Sequence, residues 1–527
     1  MQDLGRLTRH HDVVFSVGRR AVAVISFFLL TVTVSCTSQA PVSPQEPPHP
    51  VSVVPPVTAA GTPDWQLSRQ GPEHAIEGFA DRVSVIPGET VRLYVSTESA
   101  GFTVTAFRIG NYQNSDAQAV WTSPRQTGGV QAAAVIQQPT NTIVAPWHPS
   151  LTVETQGWLP GDYLLRLDGE TGDQRFVPLT VRTASNVGRV VVINAVTTWQ
   201  AYNQWGGYSL YKGPDGKRPS RSRAVSFDRP YEAGMQGAGQ FLEFELGFLR
   251  VAERAGVPLG YATDTDLHAD PHLLDGARAV FTLGHDEYWT TAMRAAATAA
   301  RDHGVNLAFL GGNEVYRHMR FAATPLGDNR LEINYKSAAE DPISTTDPSE
   351  STQDWRQPPD PRPESVLVGG YYSCFPGRAD LVASNAANWL LTGIVRDGEH
   401  LPAVVGVEYS KVNLSVPTPR PIEVLFHSPV ICGTTKRLEF SDVTYYTTHS
   451  GAGVFSSGTQ DWVCGMDPGC KGGGGGGRVG QVLDAITTRL LQGFAAGPAG
   501  VAHPAVDNLA SLNINQTNAV PPPPDTG

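Results

Sequence analysis

A β-sandwich followed by a doubly wound α/β domain is the fold class predicted by this 527-residue sequence. Three observations predict it. Between residues 65 and 184, apolar residues recur with period two between turn residues, the pattern of short antiparallel strands. Between residues 185 and 500, β-branched runs alternate with helical patterns, the pattern of a parallel sheet with crossover helices. Three of those runs end in polar clusters, and the strand ends of such a sheet share one edge, where ligands bind.

Residues 1–36 read as a lipoprotein-type signal peptide. Arg19 and Arg20 precede an uncharged apolar run from Ala21 to Val34, the length of a secretory core and too short to span a bilayer. Ser35-Cys36 then resembles a lipidation site with Cys36 acylated, although Thr33 departs from the usual Leu. Export, and a lipid anchor on the outer face of the cell membrane, are the expectation; one acyl chain tethers only marginally, so more than one is needed. Residues 37–64, rich in Pro, Ser and Val, predict a semi-rigid spacer, and residues 501–527, with Pro521 to Pro524, a disordered tail.

Lys and Arg number 39 against 50 Asp and Glu, a formal net charge of −11. Loss of residues 1–35, which carry four arginines and two aspartates, takes it to −13. An acidic chain without basic clusters is a poor candidate for nucleic acid or anionic lipid headgroups, and no nucleic acid is expected as a partner. With Cys36 lipidated, four of the five cysteines remain, an even number suited to an oxidising compartment. Cys464 and Cys470 bracket a short loop and are expected to pair, leaving Cys374 with Cys432; no CxxC motif accompanies them to suggest zinc.

In the first domain Val91, Leu93 and Val95 follow the Pro87-Gly88 turn, Phe102, Val104 and Ala106 follow Gly101, and Tyr163 alternates in phase with Leu165 and Leu167. Such strands predict an immunoglobulin-like sandwich with Tyr163 in its core. In the second domain Val190–Ile193, Ala277–Leu283 and Val305–Leu310 read as buried strands, with helices at Phe241–Ala255, Met293–His303 and Val479–Phe494. The strands run into Tyr202 and its neighbours, into His285-Asp286-Glu287, and into Gly311-Gly312-Asn313. The glycines from Gly472 to Gly477 read as a flexible insertion, since no Lys-Ser/Thr follows to make a phosphate loop.

A nucleophile elbow and a dinucleotide fingerprint are both missing. What remains is oxygen-rich: Glu287, Asp286 and Tyr202, with His285 beside them. Carboxylate and tyrosinate are hard ligands suited to Fe(III). A metal there would polarise a carbonyl and acidify a water, and His285 could move the proton.

Arg108-Ile-Gly-Asn-Tyr112, Thr198-Trp-Gln-Ala-Tyr-Asn203, Trp205-Gly-Gly207, Gly284-His-Asp-Glu-Tyr-Trp289, Phe309-Leu-Gly-Gly-Asn313, Asn388-Trp389-Leu390 and Gly451-Ala-Gly-Val-Phe455 together resemble the large-subunit family of N,N-dimethylformamidase. The resemblance spans Trp65 to Phe494. It implies a sandwich joined to a glutamine-amidotransferase-like α/β domain, and one iron held by two tyrosines and a glutamate that hydrolyses a small formamide. By position it implies Glu287 as the glutamate, His285 as the nearby catalytic histidine, Tyr202 as one tyrosine and Tyr163 as the second. A small-molecule amide is then the substrate; a small-subunit partner or an oligomer stays open.

Two alternatives stand beside this reading. One is a non-catalytic envelope module that binds a ligand such as a glycan, since Trp199, Trp205, Tyr208 and Tyr211 offer stacking surfaces. The other is a zinc or manganese hydrolase built from His285, Asp286 and a histidine such as His268. Arg317 and Arg320 are expected in surface pairs, Glu408 as either a supporting or a structural carboxylate, and the isolated His427 and His449 as structural.

Overall fold

The structure is a computed structural model that describes residues 60–469 and 475–515. The expected signal peptide with Cys36, nearly all of the spacer, Cys470 and residues 516–527 lie outside the described residues.

The period-two segments form two facing sheets. Ile76–Ala80, Thr90–Thr97 and Leu151–Glu154 make one; Ser84–Val85, Gln174–Val181, Gly161–Gly169, Gly101–Tyr112 and Ser115–Thr122 make the other. Because successive side chains leave a strand on opposite faces, Val91, Leu93, Val95, Val104, Tyr163, Leu165, Leu167 and Val177 meet in one core. The alternate residues Phe107, Leu164 and Phe176 pack the other way, against the second half of the chain. That sheet is therefore buried on both faces.

The second half is built on a seven-stranded sheet: β1 (Val190–Asn194), β2 (Leu259–Thr263), β3 (Ala279–Gly284), β4 (Asn306–Gly311), β5 (Ile422–Ile431), β6 (Leu438–Thr447) and β7 (Gly453–Ser456). Its order is β2-β1-β3-β4-β7-β6-β5, parallel from β2 through β7 and antiparallel across β6 and β5. The sheet is thus mixed, where the sequence pattern predicts a parallel one. Long apolar strands give no sign of direction; β6 runs against the other strands because only short turns, 432–437 and 448–452, join it to β5 and β7. Helices cover both faces: α1 (Leu246–Arg254) and α3 (Gly477–Ala496) one, α2 (Thr291–Asp302) the other. Strand order reverses between β1 and β3, so the crevice at their carboxyl ends is the switch point at which such sheets bind ligands.

Two expectations change. The helix predicted over Phe241–Ala255 breaks at Glu245, whose φ/ψ of −129°/−36° leave the helical region. The Glu245 carboxylate turns inward and accepts the Ala195 N–H at 3.1 Å. The expected tail begins later than residue 501: Ala499–Ala502 and Leu509–Leu512 are helical turns, and the Asn508 side chain exchanges two 2.8 Å hydrogen bonds with the Val424 backbone on edge strand β5. This pairing covers an edge that would otherwise stand open. All described residues belong to one compact unit.

Polar clamps hold the halves together. The buried Arg330 donates to Asp228 at 2.5 Å, to Phe227 O at 3.0 Å, and to Asp81 O and Ala80 O of the sandwich at 2.6 and 3.0 Å. Arg108 in the sandwich reaches Glu253 on α1 at 2.6 Å. The Arg330→Met variant leaves Asp228 buried without its cation, and urea unfolding should show a loss of about 3–5 kcal/mol; a loss below about 1 kcal/mol would contradict the clamp.

Candidate active site

Strand β3 ends at Gly284 with φ +56°. A Cβ there would lie 2.3 Å from the Phe244 Cβ and 2.7 Å from the Phe244 carbonyl oxygen, so only glycine makes this turn. The turn delivers His285 and Glu287 into the switch-point crevice. The Glu287 N–H donates to Thr198 Oγ1 at 2.9 Å, and the Glu287 carbonyl accepts Tyr316 and Arg317 N–H at 3.0 and 2.8 Å.

The Glu287 side chain is 1% exposed and is gripped from four sides. Tyr202 OH donates to Oε2 at 2.9 Å, and Tyr211 OH lies 2.8 Å from Oε2 and 3.0 Å from Oε1. Arg317 Nε reaches Oε1 at 3.2 Å, and His285 Nε2 stands 3.4 Å from Oε2. Burial alone would raise this carboxyl, but the hydrogen bond and charge of His285 and the charges of Lys336 and Arg317 hold it well below the usual carboxylate range. The Tyr202 and Tyr211 hydroxyls are pushed the other way, far above an ordinary phenol, first by burial and then by the Glu287 charge.

A second layer supports Tyr211. Tyr288 OH donates to its oxygen at 2.8 Å, Lys336 Nζ donates to Tyr288 OH at 2.6 Å, and the same ammonium sits 3.3 Å from the Tyr211 ring centroid. His285 Nε2 also lies 3.2 Å from Glu408 Oε2, whose carboxylate accepts Asn313 Nδ2 at 3.1 Å and Tyr372 OH at 3.3 Å. Burial lowers the His285 pKa, yet Glu287 and Glu408 together bring it up to about 10. These groups floor a cavity of about 620 Å³, walled by Phe244, Tyr316 and Tyr372, with Phe375, Thr434 and Thr435 also on its lining.

The structure brings together Tyr202, His285, Glu287 and Glu408, but not Tyr163. Tyr163 lies in the sandwich core, donating its hydroxyl to Leu159 O at 2.7 Å and stacking on Trp158 at 4.9 Å. Its strand phase with Leu165 and Leu167 turns the ring away from the crevice. The second phenol at Glu287 is Tyr211, which the sequence reading named only as a stacking aromatic. Its signal was Gly206-Gly207: with φ of +73° and +85° these glycines turn the chain back after Tyr202, and the two rings end 4.3 Å apart.

Arg317 is buried in the site rather than paired at the surface, and it also binds Asp354. Arg320 is paired as well, with Asp341, but that carboxylate is buried and the pair is not a surface one. Asp286 points away, accepting Trp289 Nε1 at 2.7 Å, and His268 bonds Thr290 instead of joining His285. The ligand set of the zinc or manganese reading is therefore not assembled, and among the described residues no three His, Cys, Asp or Glu side chains are grouped to hold a metal ion. Cys374 and Cys432 are joined by a disulfide in the cavity wall.

The sequence profile of the family described as N,N-dimethylformamidase beta subunit-like, C-terminal, matches residues 103–472. The chain belongs to this family. The dimethylformamidase-like match begins inside the strand Gly101–Tyr112 and takes in all four groups gathered at the crevice. No curated protein sequence matches the chain. Among solved structures it is similar to a cycloisomaltooligosaccharide glucanotransferase of Paenibacillus sp. complexed with cycloisomaltoheptaose, at 9% identity and a TM-score of 0.16. That likeness covers 44% of each chain, under half the length of the relative, and carries no argument.

Gly284→Ala should lose about 1–3 kcal/mol from the left-handed backbone alone, and more from the Phe244 contact. Gly256→Ala, with φ +72° but no atom within 4 Å of the new Cβ, is the control for the backbone effect. Equal losses in urea unfolding would show that the Phe244 contact does not constrain the turn.

Proposed function

We propose that the protein hydrolyses small amides, formamides among them, at a single hard cation, iron(III), held by Tyr202, Tyr211 and Glu287. The observation that carries this reading is the meeting of two buried phenol oxygens and one carboxylate within 2.8–3.0 Å. The donor set fits such an ion: all three are hard oxygens, and the carboxylate is already held ionised. Without a cation the phenols stay protonated; a multivalent charge among them is what would release their protons.

When bound, the ion supplies a Lewis acid for the amide carbonyl and an acidified water. The chain's own groups do the rest. His285, 3.2 Å from Glu408 and held as the imidazolium, is placed to give its proton to the leaving nitrogen and to recover one from the attacking water. An amide and water thus give a carboxylic acid and an amine. Glu408, fixed by Asn313 and Tyr372, keeps the imidazolium oriented. Arg317 and Lys336 stabilise Glu287 against protonation.

The reading extends to the architecture and the address. The two facing sheets support an immunoglobulin-like module, and the β2-β1-β3-β4-β7 parallel run supports a glutamine-amidotransferase-like one. The apolar run before Cys36 supports export and a lipid anchor at the outer face.

Purified protein is expected to carry about one iron per chain and to absorb in the visible as a ferric tyrosinate. Glu287→Ala should lose the metal; Tyr202→Phe and Tyr211→Phe should shift or abolish the absorption, and Tyr163→Phe should leave it unchanged. A colourless protein, or iron retained in Glu287→Ala, would overturn the site. Glu408→Gln should keep the iron but lower kcat on a formamide by about 10²–10⁴-fold; metal binding with no turnover across an amide panel would favour the ligand-binding module instead.

A further inference from the structure

The turn that joins β5 to β6 carries apolar side chains into solvent. Ile431 is paired across the ladder with Leu438, and Pro429 with Phe440, so the four share one face of the hairpin. Ile431 is 56% exposed, Leu438 63% and Phe440 36%. Phe375, 50% exposed, stands next to this tip, tied to it by the Cys374–Cys432 disulfide, by Gly433 N–H on Pro376 O at 2.7 Å and by Thr434 Oγ1 on Phe375 O. Exposed apolar residues this close together mark a contact surface rather than chance.

Charge says what the surface meets. Lys436 and Arg437 at the apex are exposed, and no acidic partner holds either among the described residues. The one acid on the tip, Glu439, is turned to the other face, where it binds Lys411 at 3.0 Å and Ser373. The net charge of −11 sets the chain as a whole against anionic headgroups, but locally this apolar tip crowned by two cations is matched to an anionic lipid surface: apolar side chains enter the headgroup boundary while the cations meet phosphates. We propose that the Ile431–Phe440 hairpin docks on an anionic bilayer. It supplies the second attachment that a lipid at Cys36 alone would lack. Thr434 and Thr435 of the same turn line the cavity, so docking brings the bilayer up to the site. The proposal stands apart from the metal and the hydrolysis, which it does not require.

Hydrogen exchange of the full-length, lipidated chain on vesicles tests it. The tip peptide 431–440 should exchange several-fold more slowly on vesicles containing phosphatidylglycerol than on pure phosphatidylcholine. In the Lys436→Gln/Arg437→Gln variant, docking weakened roughly 30-fold should remove the difference, with the thermal midpoint unchanged. Leu438→Asp should remove the slowing on both lipids. Equal exchange of the tip in the wild-type chain on both vesicles and free in solution would overturn the proposal and leave the patch to a protein partner or a second copy.

Discussion

A carboxylate taken out of water must find its counter-charges inside the protein. Glu287 is that carboxylate, and the shape of the site follows from satisfying it. Its partners come from five separate stretches: Tyr202 after β1, Tyr211 beyond the glycine turn, His285 after β3, Arg317 after β4, and Lys336 further along. Each stretch must be folded before the charge is matched, so the site is an outcome of the whole α/β half. The topology makes this affordable, because strand order reverses where β1 and β3 lie side by side and their tips open onto one crevice.

The sandwich belongs to the same construction. Its larger sheet buries one face in its own core and the other against α1 and its surroundings. Arg108, from the Arg108–Tyr112 motif, holds Tyr112, Pro160 O and Glu253. A motif that carries part of the family resemblance is here a clamp between the halves. The match of the dimethylformamidase-like profile across this junction agrees with that.

Sequence pattern disclosed those features that depend on local periodicity. The phase of Val91, Leu93 and Val95 and the polar ends of β1, β3 and β4 were legible because alternation and apolar runs report burial directly. Tyr163 misled because spacing along the chain was weighed against strand phase, and phase was the physical constraint. Tyr211 was hidden because its approach depends on two left-handed glycines, whose conformation residue identity permits but does not specify. The break at Glu245 was hidden for a similar reason: an inward carboxylate with a backbone partner on another element interrupts a good helical pattern. The direction of β6 left no mark in its composition, and the ordered stretch after residue 501 is held by scattered polar contacts to the sheet edge, those of Asn508, Asp507 and Glu423 among them.

The guanidinium of Arg330 touches four groups, two on each half of the molecule. Rocking one half away from the other would strand a cation in a dry seam, so a clam-shell motion is closed to this architecture. Traffic into and out of the crevice must then pass through small rearrangements of its rim, and the rim is cross-linked. Turnover in such a protein is governed at a stiff doorway rather than by a swinging hinge.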